Sequence, residues 1–292
     1  MQRQIIKVLL GLFWLAALPA SATDRGALFK VTGNGHAMIL FGTMHVGLAE
    51  FYPLEPRITA AVAGAATLAL EIDPAQPADA VAQAMREYGM ASAPASVPPK
   101  LAARLARALK KAQLDPAAAA ALKPWLLAML LSMHEVEAEG YLPELAVDTH
   151  LAGLARAGKA RVVALESLDA QLALFNGLSD AEQWRLLDET IAMIESGKQG
   201  AEMHEVLDAW RTADRPALDA LAVKVASDTS FFGRFTQQVL LDGRNGALAD
   251  KLLELLARED NAVAAIGVLH LLGKHSVPAL MRARGVTVER VY

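Results

Sequence analysis

Cysteine is absent from the 292 residues. That excludes disulfides, thiolate nucleophiles, iron–sulfur clusters and thiolate-ligated zinc. Stability therefore rests on core packing, and any metal would take nitrogen and oxygen donors. A lipid anchor on a cysteine behind an export leader is excluded as well.

An excess of basic charge is also missing. The 28 Lys and Arg residues stand against 32 Asp and Glu, a net charge of −4. A nucleic-acid partner is not expected, because neutralising phosphates needs a basic face. No apolar run reaches the roughly 20 residues of a bilayer span: Val8 to Leu18 and Trp125 to Met133 both fall short. There is no Gly-x-Ser-x-Gly elbow, which argues against a serine hydrolase. His134-Glu135 and His204-Glu205 open like a zinc helix, but Ala138 and Asp208 stand where the second histidine is needed. Gly273-Lys274 is followed by His275 rather than by serine or threonine, and the first glycine falls at 267 rather than 268, so no phosphate loop is formed.

The chain opens like an export leader. Arg3 and Lys7 form a positive n-region, Val8 to Leu18 an apolar stretch, and Ala20-Ser21-Ala22 a small-residue cleavage site. Cleavage of residues 1–22 before Thr23 would leave a mature domain over 23–292. The leader holds two basic and no acidic residues, so the mature net charge becomes −6. The expected location is the periplasm or the exterior, with no stable membrane span after cleavage; an uncleaved anchor is the alternative.

Short apolar runs alternate with helical stretches. Phe29 to Thr32 and Ala37 to Phe41 flank Gly33-Asn34-Gly35, a hairpin signal. Thr67 to Leu70, Arg161 to Leu165, Ala262 to Ile266 and Val286 to Val291 read as further strands. An alanine-rich helix follows Tyr52-Pro53, up to about Ala66. Residues from Ala78 to about Glu139 are expected to be helical, with Pro94, Pro98 and Pro99 in a loop. Leu101, Leu105 and Leu109 recur at a spacing of four, and the basic residues between Lys100 and Lys111 form a solvated face. Residues 148–157 and 179–257 are helical as well, the latter with a break around Asp242-Gly243-Arg244-Asn245-Gly246. A helix from Val277 to Arg284 precedes the last strand. This alternation predicts an α/β fold, a mainly parallel or mixed central sheet flanked by helices. Residues 78–145 exceed what a crossover needs and read as an inserted helical cap.

Four strands end on a polar residue. Two end in Gly-x-x-His, at Gly42 to His45 and Gly267 to His270; two end in Ala-Leu-Glu, at Glu71 and Glu166. Ligands of open α/β sheets bind outside the carboxyl ends of parallel strands, so these residues converge if their strands are neighbours. Imidazole with carboxylate binds a divalent ion and leaves room for water. The plainer alternative is that the glutamates cap helices or pair with arginines.

Several segments resemble the TraB/PrgY/GumN family. They are Ile39-Leu40-Phe41-Gly42-Thr43-Met44-His45 with Tyr52-Pro53, then Leu70-Glu71, Leu165-Glu166 with Gln171, and Arg244-Asn245. The last is Gly267-Val268-Leu269-His270-Leu271-Leu272-Gly273 followed by Leu280 to Gly285. All fall in the family's order, although Lys274-His275-Ser276 replaces its glycine-rich turn. The family includes the TIKI proteins, described as metal-dependent proteases, and is distantly similar to erythromycin esterases and haem-associated ChaN proteins. The resemblance implies a related fold and an envelope hydrolase acting on a peptide or small molecule with a peptide, amide or ester bond. It also implies a Mn, Co or Zn ion on His45, Glu71 and His270. Glu166 is then the base or a supporting group, Arg244 the oxyanion donor, Asn245 a substrate-orienting group and Asp148 the support of a ligating residue. His36, His150 and His275 are expected at the surface or in support. The alternatives are a non-catalytic protein holding haem or a saccharide, and an accessory to polysaccharide export.

Overall fold

A computed structural model describes residues 25–93 and 96–292. The expected leader 1–22, the cleavage point at Thr23 and the loop residue Pro94 lie outside the described residues.

The first two strands, Leu28–Gly33 (β1) and His36–Thr43 (β2), form the expected hairpin. Asn34 and Gly35 sit at φ 54° and 80°, the left-handed pair that a two-residue turn needs to match strand twist. The remaining strands are Thr67–Leu70 (β3), Arg161–Ala164 (β4), Ala262–Gly267 (β5) and Thr287–Arg290 (β6). Their order is β4-β3-β5-β2-β1-β6. β4, β3, β5 and β2 run parallel, and β1 is antiparallel to both its neighbours. The fold is α/β with a mixed sheet.

Every residue of β3 and β5 is buried. Side chains alternate between faces along a strand, so both faces at the centre are covered. The helix Val147–Ala157 packs on β3 and β4, and Gly243–Arg258 on β1, β2 and β5. The chain's last parallel strand, β5, sits between β2 and β3. This places the ends of four parallel strands side by side.

The stretch 78–145 contains the helices Ala78–Gly89, Pro99–Lys111, Pro116–Ala119 and Pro124–Ala138. Leu101, Leu105 and Leu109 are buried as their spacing requires. They share a second apolar core with Leu172, Leu186, Leu187 and Ile191, which come from later in the chain. Three of the five basic residues on the helix Pro99–Lys111 are paired: Arg104 and Arg107 with Glu195, Arg104 also with Asp188, and Lys111 with Glu135.

The expected break at residues 242–246 is not found. Thr236–Asp242 is a π-helix that passes directly into Gly243–Arg258. Asn245, Leu248, Ala249, Leu252 and Leu256 are buried along that helix. Burial of this stripe outweighs the roughly 1 kcal/mol each that Gly243 and Gly246 cost a helix.

Trp210 ties the later helices to the sheet. It is fully buried, packs on Phe41 and Phe51, and donates from Nε1 to the Gly42 carbonyl at 2.8 Å. Trp210→Ala should cost about 3–5 kcal/mol through the cavity it leaves. Trp210→Phe should cost about 1–3 kcal/mol through the abandoned carbonyl. Urea denaturation of both variants checks this; midpoints equal to wild type would contradict the packing described.

Candidate functional site

The two Leu-Glu pairs continue the ladder between β3 and β4. Leu165 N donates to Leu70 O at 2.7 Å and Glu166 N to Glu71 O at 2.8 Å, so the glutamates leave adjacent strands side by side. Glu71 Oε1 accepts from the Gly267 amide at 2.7 Å, at the end of β5. A Cβ on Gly267 would lie 3.1 Å from both Glu71 Oε1 and His45 Nε2. Glycine is needed here so that carboxylate and imidazole can approach the strand.

Arg244 fills the space between the carboxylates. Its Nε donates to both oxygens of Glu166 at 3.1 Å, and Nη2 donates to Glu71 and Glu166. Nη1 donates to the Leu240 carbonyl and to His270 Nε2, each at 3.2 Å. All five N–H groups of the guanidinium are therefore engaged. Gln171 Nε2 spans the same pair, 3.0 Å from Glu166 and 3.3 Å from Glu71. Burial alone would push the Glu71 carboxyl up. His45, then His270, Arg244 and the Gly267 amide, outweigh that and pull it down to about 2.

His270 is buried behind this pair, only 4% exposed. Its Nδ1 lies 2.6 Å from Asn245 Oδ1, while Asn245 Nδ2 donates to the His275 carbonyl at 2.9 Å. That second bond fixes which end of the amide is oxygen, so His270 carries its proton on Nδ1 and accepts from Arg244 on Nε2. Burial first, and then Arg244, lower His270 to about 4 against the opposing charge of Glu71. It is neutral at pH 7.

His45 is the opposite case. Its side chain is 64% exposed, with Nδ1 2.7 Å from Asp148 Oδ2 and Nε2 3.8 Å from Glu71 Oε1. Asp148 is the main reason that His45 is raised to about 9, with Glu71 adding to it. These side chains, with Thr149 and Gln171, line a mouth of about 230 Å³.

His45, Glu71, Glu166 and His270 thus come together at the ends of β2, β3, β4 and β5, with Asp148 on His45. Two of the expected roles meet different surroundings. Arg244 has no spare donor for an oxyanion. Asn245 is 3% exposed, with Oδ1 on His270 Nδ1 and Nδ2 donating to the His275 carbonyl, so it holds His270 rather than facing a substrate at the mouth. The Gly267 amide and the Leu240 carbonyl were not singled out from sequence; only the glycine before a strand-end histidine hinted at the first. As for a metal, Nε2 of His45 and of His270 each lie 3.8 Å from a Glu71 oxygen. Arg244, however, already occupies His270 Nε2 and Glu71 Oε2. Among the described residues no group of three or more His, Asp or Glu side chains is arranged to hold an ion. In this arrangement the donor set does not fit one.

The TraB/PrgY/gumN family model matches residues 27–290. The chain is 23% identical over 256 residues to the uncharacterized protein YbaP of Shigella flexneri, covering 86% of this chain and 89% of that one. The YbaP protein of Escherichia coli (strain K12) matches with the same identity and coverage. No solved structure matches. The chain belongs to the TraB/PrgY/gumN family.

Histidine NMR titration should find His45 protonated at pH 7 and losing its proton near pH 9, with His270 neutral down to about pH 4. Asp148→Asn removes the main cause and should return His45 toward its ordinary 6.5. The stabilisation linked to His45 is present in full below 6.5 and lost as pH rises through about 9. That linked to Glu71 is present above 4.5 and lost as pH falls through about 2. A His45 that titrates identically in wild type and Asp148→Asn would contradict this electrostatic reading.

Proposed function

We propose that this TraB/PrgY/gumN-family chain is an exported hydrolase that cleaves a peptide, amide or ester bond at the mouth formed by His45, Glu71 and Asp148. The observation that carries the reading is the exposed His45–Asp148 pair set over a buried, ionised Glu71. A histidine held on Nδ1 by a carboxylate presents Nε2 for proton transfer, and a third group orients such a base in many hydrolytic sites. No serine lines the mouth and the chain has no cysteine; Thr149 supplies the one hydroxyl side chain in its lining, and the attack is assigned to water rather than to that hydroxyl.

The deprotonated fraction of His45 takes a proton from water on Nε2 as the oxygen attacks the carbonyl carbon. The imidazolium then returns that proton to the leaving amine or alkoxide as the bond breaks. Glu71, 3.8 Å away, stabilises the imidazolium, and Arg244 with Gln171 fixes Glu71 and Glu166 in place. Arg244 would give up one of its present bonds to serve an oxyanion, so its role here is to hold the carboxylates. The rate should rise from pH 7 toward pH 9 as His45 loses its proton.

A metal-assisted form is the second reading. Its support is the placement of two imidazole Nε2 atoms at equal distance from the two oxygens of Glu71. Because Arg244 blocks the donors, no step is drawn through an ion.

The test is a peptidase and esterase screen of purified protein with and without Mn²⁺, Co²⁺ or Zn²⁺, beside elemental analysis. His45→Ala should lower turnover by about 10²- to 10⁴-fold, the usual contribution of a positioned acid–base group. Full activity in His45→Ala would overturn the assignment. Dependence on added metal, lost in His270→Ala, would favour the second reading. If no bond is cut, a non-catalytic site for haem or a saccharide, or an export accessory, becomes the better account.

Export is checked separately. A cell making the full chain should hold a periplasmic form that begins at Thr23, because residues 1–22 carry all three leader regions. N-terminal sequencing that finds Met1 on a soluble cytoplasmic product would refute it.

A further inference from the structure

A cavity of about 470 Å³ has Asn245, the residue that holds His270, in its wall. It shares no lining residue with the mouth at His45. Its walls are mostly apolar, with Val225, Leu241, Leu269 and Leu272 among them. Val225 and Leu269 also border a second hollow of about 420 Å³, lined by Met193, Met203 and Phe232. Together they give room for a chain-like apolar ligand, since small-molecule sites typically span roughly 300–1,000 Å³.

The lining also carries polar groups, and these are not equally available. Asp219 pairs with Arg290. Asp242 accepts from Gln237 at 2.9 Å on one oxygen and lies 3.2 Å from His275 Nδ1 on the other. Lys274 is exposed and, among the described residues, has no ion-pair partner. It is the free charge at this rim, and an ammonium with an open hydrogen-bonding sphere suits a carboxylate.

The cavity also touches the hydrogen-bond chain of the site. Asn245 forms part of its wall, takes its orientation from the His275 carbonyl at 2.9 Å, and holds His270 Nδ1 at 2.6 Å. His270 Nε2 in turn meets Arg244, which holds Glu71 and Glu166. His275 lies in the exposed turn Gly273 to His275, which lines the cavity. A ligand seated against that turn would shift the carbonyl that orients Asn245.

We propose that this cavity is a second ligand site, taking a small amphiphile with an apolar chain and a carboxylate head, and that its occupancy acts on His270 through Asn245. The head pairs with Lys274 and the chain lies along Leu241, Leu269 and Leu272. The proposal does not depend on whether the mouth hydrolyses anything, so binding is measured without reference to activity.

The experiment titrates the full-length protein with octanoate, octanol and octylammonium by calorimetry, and follows the imidazole ¹⁵N resonances of His270. Octanoate should bind saturably and more tightly than octanol or octylammonium, and should move the His270 resonances at saturation. Lys274→Glu, at an exposed position, should weaken octanoate about tenfold or more, the scale of a lost charge-assisted bond. Ala226→Phe, which projects into the cavity from an exposed helical position, should block the octanoate site. Three outcomes would overturn the proposal: no saturable octanoate binding, equal binding to Lys274→Glu, or His270 resonances that stay fixed when the site is full.

Discussion

Arg244 is the residue on which the rest of the site depends. Its side chain is 12% exposed, and it lies between Glu71 and Glu166, which are 6% and 13% exposed. Two carboxylates this close and this buried would repel each other and lose hydration without recovering it. The guanidinium supplies the opposite charge and a fork of donors that matches both. A buried ionic cluster of this kind adds little net stability over apolar packing, yet removing one member leaves an uncompensated charge, which costs about 3–5 kcal/mol. The cluster therefore specifies a geometry more than it stabilises the fold.

That geometry needs each neighbouring element to be where it is. The π-helix Thr236–Asp242 offers its Leu240 carbonyl to Arg244 at 3.2 Å, and single π turns within helices are frequent at functional sites. Gly267 ends β5 without a Cβ, so the carboxylate of Glu71 can reach its amide. Placing β5 between β2 and β3 brings His45, Glu71 and His270 to adjacent strand ends. The two histidines then diverge in character. One is exposed, held by Asp148 and charged at neutral pH; the other is buried, held by Asn245 and neutral. Pairs of titratable groups pushed apart by their surroundings are a mark of functional sites.

Much of this was legible in the sequence. Apolar runs closed by Gly-x-x-His or Leu-Glu marked the strands and the residues at their ends, and Gly33-Asn34-Gly35 marked the hairpin. Asp148 was anticipated as a support because a functional histidine usually carries a carboxylate behind it. The helix over Arg244 was not anticipated. Two glycines among polar residues look like a break, and only the buried stripe from Asn245 to Leu256 shows why the helix continues. The second core was hidden too, because Leu187 and Ile191 lie far along the chain from the helices they cover.

The sequence by itself determined which residues stand at strand ends, because strand period and turn chemistry are local and each residue carries its own preference. It also determined the α/β class, through the alternation of those local signals. Only the tertiary structure decided what those residues do to one another. The saturation of Arg244, the tautomer of His270 and the different charge states of two histidines in equivalent motifs depend on distances between elements far apart in the chain. Such distances arise from packing the whole chain, and electrostatic effects this steep in distance and burial have no signature in spacing along the sequence.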